Sequence, residues 1–557
     1  MKTLQFPMLN SSVWDSKIKS ANVTGKERWI GFFFGPAGVI LINGVIASYL
    51  NLFYTDVMKV GNLWHGMFLM VFPIFSKVVD AITNVIMGSL IDHTRSKQGK
   101  ARPWILVALP LLVISSILLF TVPNASDTVK IIWIVVSFNV YYSVAYTCYY
   151  ISHTMLVPLS TRNTRQRDGL AMLSNMAMCL IPGFVVAMLF PMIVLPTLGV
   201  DQSKWIRMIV VFSIILIPCI FMEYYFTRER ISEESAGLAQ PKEAVSITQQ
   251  AKACVKSKYW IMIMVIMVVN QLCASFQNNS LVYYCNWVLG SYNDGITQTI
   301  VSAVGNAPLG FGILIMWPLV RKFGKQKVMV VGLAVDVLGS LLFLTNPTNL
   351  GVVLPALMVR AFGALPITYI LIAMMADAMD HVEWKAGFRC DGFTTSGYSI
   401  IFTVCAGLAQ GLFNLGMSRN GYVPPKADGT FVEQTAAVKS FFVFSYMGMY
   451  TIGCVIMLVI FWFYRVEKDM PQMKADITAR HKAEAEAQGI EYVSPEEAAR
   501  REQEENDRIA EENRIRELKE RCEKKGLDFE AEEAKYQKKL AEQKAKQEAK
   551  AAKHKRK

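Results

Sequence analysis

The sequence contains few charged residues for its length. Asp, Glu, Lys and Arg make up 18% of the 557 residues, whereas 53% are hydrophobic. A soluble protein of this size would carry about a quarter charged residues and divide into several domains. The shortage of charge therefore argues against a soluble multidomain protein and makes the placement of the apolar residues the next question.

Cysteine and histidine are present, but their spacing does not indicate a site. The ten cysteines form no C-x-x-C pair, and most lie in apolar stretches. This predicts small buried residues rather than disulfides or metal ligands, so we expect no metal site and no cofactor other than a coupling ion. The sequence also lacks a phosphate-binding glycine loop and a Ser-His-Asp pattern in a soluble domain. We therefore predict no catalytic residue and no enzyme activity.

The apolar residues are grouped into runs of about 20 residues, the length that crosses a bilayer core. Backbone groups have no water partner inside lipid, so such runs form helices. The predicted spans are residues 29–53, 64–91, 103–123, 130–153, 169–196, 205–226, 258–289, 298–320, 328–346, 350–376, 392–417 and 437–465. The sequence thus predicts an all-α polytopic membrane protein with twelve transmembrane helices.

Positive charge alternates between the loops. Lys and Arg are concentrated in loops 95–102, 162–167, 227–257 and 321–327 and in the C-terminal tail, whereas the intervening loops carry almost none. The positive-inside rule assigns the basic loops to the cytoplasm. The net charge of +13 is therefore a topology signal rather than an indication of nucleic-acid binding. We expect a multi-pass protein of the cytoplasmic membrane with both termini in the cytoplasm.

The spans are organised as two blocks of six. We assign residues 1–28 to a cytoplasmic N-terminus, 29–226 and 258–466 to two six-helix bundles, 227–257 to a central cytoplasmic loop, and 467–557 to a charged tail. "RSKQGKARPWILV" follows the second span, and the similar "RKFGKQKVMVVG" follows the eighth. Two related six-helix halves are typical of transporters, with the binding site between the halves at the membrane midplane.

The tail is rich in Ala, Glu, Lys and Arg. Its short apolar seam, formed by Ile515, Leu518 and Cys522, is too brief for a sustained coiled coil. We predict a solvated helical or partly disordered appendage that transport does not require, with a partner-binding coiled coil as the alternative. Anionic lipid is a further expected contact of its basic end.

Asp80 lies inside the second predicted span. A carboxylate at this depth usually faces a partner or a water-filled cavity and marks an ion or substrate path. Lys77 lies one turn before it and Asn84 one turn after it, so the three share one helix face. Two interpretations stay open at this point: a pair that only neutralises its own charges, or a cation or proton site.

Two motifs resemble those of the glycoside-pentoside-hexuronide:cation symporters, the melibiose permease-like family of the major facilitator superfamily. The first is "KVVDAITNVIMGSLIDHTRSKQGKARPWIL", similar to that family's second-span motif and basic loop. The second is "ADAMDHVEWKAGFRCDGFTTSGYSI", similar to its segment between spans ten and eleven. The resemblance covers residues 25–467. It implies a major facilitator fold and cation-coupled sugar symport.

The resemblance also implies a cation site. Asp80 matches the first motif aspartate, whereas Asn84 stands where sodium-coupled members have a second carboxylate. Thr147 and Lys77 match residues near that site, and Thr83 offers a further hydroxyl. A single carboxylate beside a lysine favours a proton over sodium as the coupling ion.

The family's sugar ligands are replaced in this chain. Ile40, Tyr150, Asn175 and Thr403 stand where relatives carry charged galactoside ligands. Amide and aromatic side chains suit a sugar, since amides bond hydroxyl groups and rings cover the C–H face. They equally suit helix packing and the interfacial belt. The predicted substrate-binding residues are Tyr146, Tyr150, Asn175, Gln277, Asn278, Asn279, Tyr283, Tyr398 and Thr403.

Charged residues near the ends of spans two and ten are predicted to form one network that stabilises a closed conformation. Small differences in such contacts set the balance between inward-facing and outward-facing states. This predicted gate consists of Asp92, Arg95, Arg102, Asp377, Asp380, Glu383 and Arg389.

The leading functional prediction is a monomeric, cation-coupled symporter that imports a glycoside, pentoside or hexuronide, with proton coupling expected and sodium as the alternative. The chain's other expected contacts are membrane lipids, and no nucleic acid. Two alternatives remain: a transporter of an amphipathic or lipid-like substrate, and a transport-inactive sensor that uses the tail.

Overall fold

The computed structural model of the chain is almost entirely helical, and it describes residues 4–231, 246–290, 295–426, 430, 432–487, 489 and 492–555. Among these residues, 11 helices have the length and hydropathy to cross a membrane. They are Glu27–Val57, Met67–Asp92, Arg102–Phe120, Asp127–Ser160, Thr164–Leu198, Gln202–Phe226, Lys258–Leu289, Lys325–Thr345, Leu350–Ala386, Asp391–Arg419 and Ala436–Phe463. The remaining predicted span, 298–320, is the 29-residue helix Gly295–Phe323.

We number these twelve helices span 1 to span 12 in chain order, and call spans 1–6 and 7–12 the N-terminal and C-terminal halves. The predicted twelve-helix fold is confirmed. A ten-residue helix, Ile247–Lys256, precedes span 7. A parallel pair of two-residue strands, Leu4–Gln5 and Thr94–Arg95, is a small departure from an all-α chain.

Span 10 is longer than predicted. It consists of helices Leu350–Gly363 and Leu365–Ala386, so the segment expected to be a loop from residue 377 is helical to residue 386. The segment lacks helix-breaking residues until Gly387, which adopts a left-handed conformation with φ 83° and ends the helix. Consequently Asp377, Asp380 and Glu383 lie on a helix rather than in a loop.

The two related loops that follow spans 2 and 8 share one local structure. Each contains a glycine with positive φ, 103° at Gly99 and 83° at Gly324. The backbone N–H of the next residue donates to a glutamate that follows the last span of the same half, Glu229 at 2.8 Å and Glu467 at 2.5 Å. A carboxylate at a helix N-terminus satisfies free N–H groups and complements the helix dipole.

Replacing Glu229 with alanine is expected to lower the thermal unfolding temperature of the purified protein. Its carboxylate accepts the backbone N–H groups of Lys100, Ala101 and Arg102 at 2.8–2.9 Å. Burial raises the pKa of Glu229, and these three donors oppose that rise. Each donor left unpaired costs about 1–3 kcal/mol. Glu229→Gln, which keeps an acceptor, should lose less stability. Equal unfolding temperatures for wild type and the alanine variant would contradict this role.

The tail is helical, as predicted, but it contacts both halves rather than being a fully solvated appendage. Its helices are Val466–Ala487, Pro495–Lys525 and Phe529–Lys555. In the first, Arg480 donates to the Glu383 carbonyl at 3.0 Å, against span 10. In the second, Asp507 pairs with Arg165 at 3.0 Å, and Glu517 accepts the Ala21 N–H at 2.6 Å. These contacts are polar, so the low apolar content of the tail gave no sign of them.

Charge reversal in the second tail helix, Asp507→Lys with Glu517→Lys, is expected to release it and to speed tryptic cleavage beyond residue 495. Hydrogen bonding to Asn163 lowers the pKa of Asp507 below its ordinary value. The stabilising contribution of Asp507 is therefore present above the ordinary aspartate pKa and is lost as the pH falls through the lowered value. Pepsin, which is active in acid where trypsin is not, should cleave the tail of the wild type faster on such acidification. Unchanged tryptic cleavage of the double variant would show that these contacts do not hold the tail. The matched control is Glu504→Lys, which adds a lysine at an exposed position on the same helix.

Candidate functional site

The two halves meet at the face of the bundle opposite the termini, which we call the closed face. Asn51 of span 1 donates to the Tyr283 hydroxyl at 3.1 Å and to Asn414 Oδ1 at 2.9 Å. The hydroxyl of Tyr422 donates to Asp56 Oδ1 at 2.8 Å. These buried hydrogen bonds join span 1 to spans 7 and 11 and seal the space between the halves.

Glycines allow close backbone approach near the closed face. A Cβ added at Gly411 of span 11 would lie 2.3 Å from the carbonyl oxygen of Met70, and one at Gly407 would lie 3.0 Å from that of Pro73. A Cβ added at Gly295 would overlap the Pro191 carbonyl. Only a residue without a side chain fits at these contacts between spans 2 and 11 and between spans 5 and 8.

The other end, where the N-terminal segment and the tail lie, is the terminal face. Toward it, span 2 is exposed around most of its circumference, since the consecutive residues Asn84, Val85 and Ile86 are all exposed. Span 11 is similarly exposed at Ile400 and Phe402. Spans 2 and 11 are therefore packed near the closed face and exposed near the terminal face. This conformation is open at the terminal face.

Asp80 lies near the middle of span 2 with both carboxylate oxygens bonded. Lys77 Nζ donates to Oδ2 at 2.9 Å, and the Ser143 hydroxyl of span 4 donates to Oδ1. The ammonium group of Lys77 also lies 4.9 Å from the centre of the Tyr142 ring, a cation–π contact. Asp80 is 7% exposed, so the carboxylate of this ion pair is buried against span 4.

The other predicted cation ligands lie one turn further along. The Thr147 hydroxyl donates to Asn84 Oδ1 at 3.1 Å, so these two are in contact. Thr83 instead donates to the backbone carbonyls of Val79 and Asp80. Ser143, which the sequence analysis did not select, belongs to a π-helical segment of span 4, Val140–Tyr146. Such segments often occur at functional sites. The sequence could have indicated Ser143, because it lies four residues before Thr147 and therefore on the same face of the helix.

The predicted substrate residues do not form one cluster in this conformation. Tyr146 and Tyr150 stack with ring centres 5.6 Å apart on span 4. Tyr283 is buried in the contact between the halves. Gln277 accepts a hydrogen bond from Arg360 at 2.9 Å. The others are at least partly exposed: Asn175, Asn278, Asn279, Tyr398 and Thr403.

The predicted gate residues form two separate groups rather than one network. In the N-terminal half, Arg102 is buried and donates to the Tyr224 carbonyl at 2.8 Å, and Asp92 lies 3.5 Å from Lys100. Arg95 belongs to the two-residue strand pair. The described contacts of both groups stay within their own half or the tail, as expected when the terminal face is open.

The second group of gate residues lies in the C-terminal half. Asp377 pairs with Lys325 of span 9 at 2.6 Å. Arg389 pairs with Asp380 at 2.8 Å and Glu383 at 3.2 Å. Partial burial lowers the pKa of the Arg389 guanidinium, but its hydrogen bond to Asp391, with Asp380 and Glu383, outweighs burial and raises that pKa. Lys325 was missed by the sequence analysis because its partner is distant along the chain.

Two further charges inside the spans were also missed. Asp336 of span 9 is fully buried and lies 3.6 Å from Arg360 of span 10. The rule that singled out Asp80, one charge within an apolar run, would have identified both. No group of three or more His, Cys, Asp or Glu side chains suited to a metal ion occurs among the residues that the structure describes.

A family model described as "MFS/sugar transport protein" matches residues 31–468. The chain is 25% identical over 445 residues to the isoprimeverose transporter of Lactiplantibacillus pentosus, covering 79% of this chain and 88% of that protein. It is also 25% identical to the glucuronide carrier protein homolog of Escherichia coli, covering 82% of this chain and 96% of that protein. The putative sulfoquinovose importer of Salmonella typhimurium is 25% identical, covering 70% and 80%.

Among solved structures, a mutant of the peptide transporter POT in complex with sulfate superimposes with a TM-score of 0.50 at 13% identity, covering 82% of this chain and 98% of that one. This likeness concerns the fold alone. The family match covers both six-helix halves and stops at the tail, in agreement with the resemblance in the motifs around Asp80 and Asp377. The chain is therefore a multi-pass membrane protein that belongs to the MFS/sugar transport protein family.

Proposed function

We propose that this protein is a proton-coupled sugar importer in which Asp80 carries the proton. The contact between Asp80, Lys77 and Ser143 is the observation that supports this most directly. A sodium ion would need several oxygen ligands with net negative charge, and here the nearest ammonium group already neutralises the single carboxylate. A proton needs only one oxygen. Protonation of Asp80 would release Lys77 from its ion pair and so change the contacts of span 2.

The space between the halves is the proposed substrate site. Spans 4, 5 and 7 carry exposed hydroxyl, amide and aromatic groups, including Tyr150, Asn175 and Asn278, which suit the hydroxyl groups and C–H faces of a sugar. The names of three relatives refer to sugars or sugar derivatives: isoprimeverose, a glucuronide and sulfoquinovose. We therefore place the substrate among glycosides, pentosides and hexuronides.

The orientation follows from the basic loops. Residues 95–102, 162–167 and 321–327 belong to the terminal face, and the positive-inside rule makes that face cytoplasmic. On this assignment both termini are in the cytoplasm, the protein resides in the cytoplasmic membrane, and the structure is open to the cell interior. Both halves of the site come from one chain, so a monomer suffices.

Transport by the purified full-length protein in liposomes tests this proposal. Labelled isoprimeverose and a labelled glucuronide are offered first in counterflow, which needs no ion gradient, and then under an imposed proton or sodium gradient. We expect counterflow with at least one sugar and accumulation with the proton gradient alone. Accumulation that requires sodium at constant pH would refute the proton, and the absence of counterflow across a wider sugar panel would refute the substrate class.

A further inference from the structure

Span 9 and span 10 each carry one charge in the interior of the C-terminal half, and the two charges face each other. Asp336 Oδ1 lies 3.6 Å from Nε of Arg360, whose side chain is 12% exposed. Asp336 Oδ2 accepts a hydrogen bond from the Tyr450 hydroxyl of span 12 at 3.1 Å. The guanidinium group lies 4.0 Å from the centre of the Tyr450 ring. Charges at such depth usually mark an ion or substrate path.

This pair is incompletely hydrogen-bonded. Asp336 Oδ1 and Arg360 Nε are buried without a hydrogen-bond partner among the described residues, and so is Nε2 of Gln277, the residue that accepts from Arg360 Nη2. Buried polar groups in proteins are nearly always paired, and an exception calls for an explanation, of which a role in proton or ion binding is one. Asp336 Oδ1 therefore keeps a lone pair that can bind a proton.

A second buried ion pair shows what a fully bonded arrangement looks like in this protein. Arg230 donates to both carboxylate oxygens of Glu27 at 3.0 and 2.8 Å, and to the carbonyls of Ser20, Asn22 and Ser160. Glu27 is as completely buried as Asp336. The loose geometry at Asp336 is therefore not a general consequence of burial.

The helices that carry the pair are in backbone contact. A Cβ added at Gly363 would lie 2.3 Å from the backbone nitrogen of Asp336, and one at Gly339 would lie 2.5 Å from that of Arg360. Spans 9 and 10 therefore cannot move closer to shorten the distance between Asp336 and Arg360.

Gln277 connects the pair to the contact between the halves. It lies on span 7, six residues before Tyr283, whose hydroxyl bonds to Asn51 and lies 2.9 Å from the Thr55 hydroxyl of span 1. Opening of the closed face must break these bonds. Span 7 therefore contacts Arg360 through Gln277, and through Tyr283 it also takes part in the contact between the halves that opening must break.

We propose that Asp336 is a second proton-binding site of this transporter, with Arg360 as its counter-charge and Gln277 as its link to span 7. This rests on the proposed function and adds a site in the half that lacks Asp80. A proton bound to Oδ1 neutralises the carboxylate and leaves the Arg360 charge to Gln277 and the Tyr450 ring, which alters the contacts of span 7. The titratable groups that face Asp336 are Arg360 of span 10 and Tyr450 and Cys454 of span 12.

Infrared difference spectroscopy of the full-length protein in liposomes, between neutral and acidic buffer, tests this with the proton as the only ligand. We expect the wild type to gain a protonated-carboxyl absorption of which one component is lost in Asp336→Asn. The same component should be lost in Asp336→Asn/Arg360→Gln, which removes both charges and so protects folding if the single variant fails. It should persist in Asp80→Asn and in the matched pair Glu27→Gln/Arg230→Gln. Identical spectra for the wild type and both Asp336 variants would overturn the proposal.

Uptake in the same liposomes separates this inference from the proposed function. We expect Asp336→Asn/Arg360→Gln to lose proton-driven accumulation at least tenfold while keeping counterflow. Full proton-driven accumulation by this variant would also overturn the second site. A wild type that shows the Asp336 absorption but transports no sugar would instead refute the proposed function and leave the proton site standing.

Discussion

Replacing Asp80 with asparagine is expected to abolish concentrative uptake, while exchange of labelled for unlabelled sugar continues. The amide keeps the size of the carboxylate. Its single carbonyl oxygen can accept from Lys77, and its NH2 group can donate to the Ser143 hydroxyl oxygen, so both residues that hold Asp80 now keep a partner. It cannot take up a proton, so the imposed gradient no longer drives the cycle. Accumulation should therefore fall to the level of passive equilibration, which is measured as the internal-to-external ratio of labelled sugar at steady state.

Asp127→Asn is the matched control, because Asp127 is an exposed carboxylate at the start of span 4. It should accumulate sugar as the wild type does. Asp80→Asn protein that still accumulates sugar under a proton gradient would remove Asp80 from the coupling step. Loss of exchange as well as accumulation would assign Asp80 to substrate binding or to the fold rather than to the proton.

Replacing Gly411 with alanine is expected to reduce the uptake rate at least fivefold by opposing closure of the closed face. The new Cβ would meet the Met70 carbonyl oxygen at 2.3 Å, and a backbone atom in a packed helix cannot yield as a flexible side chain can. Overpacking costs about 1–3 kcal/mol. Since about 1.4 kcal/mol is a tenfold change in an equilibrium, the population should shift several-fold or more toward the conformation open at that face.

The shift is measured by maleimide labelling at Met417→Cys, a position that is 3% exposed in the closed face. Labelling above the background of the native cysteines should increase when Gly411→Ala is added. Gly397→Ala is the matched control, since Gly397 lies on the same span with nothing within 4 Å of an added Cβ. Equal labelling and equal uptake in both backgrounds would show that spans 2 and 11 do not limit the transition.

The positions of the twelve spans follow from local composition, which is why they were predictable to within a few residues at most ends. Spans 4 and 10 extend further than predicted, span 4 to Ser160 and span 10 to Ala386. In span 10, hydropathy falls at Asp377 while helix propensity does not. Hydropathy marks where lipid ends, whereas Gly387 marks where the helix ends. Asp80 was equally accessible to sequence reasoning, because one carboxylate in an apolar run is conspicuous without knowledge of its neighbours.

By itself, the sequence determined the number of helices, the family, and the depth of Asp80, since each depends on residues adjacent in the chain. Only the tertiary structure decided which charges meet. Asp336 of span 9 pairs with Arg360 of span 10, and Asp80 of span 2 bonds to Ser143 of span 4. The predicted gate divides into two groups because the terminal face is open. The tail contacts depend in the same way on single polar groups brought together from distant parts of the chain, such as Asp507 and Arg165. Pairing of this kind is set by helix packing geometry, for which the periodicity and composition of one segment hold no information.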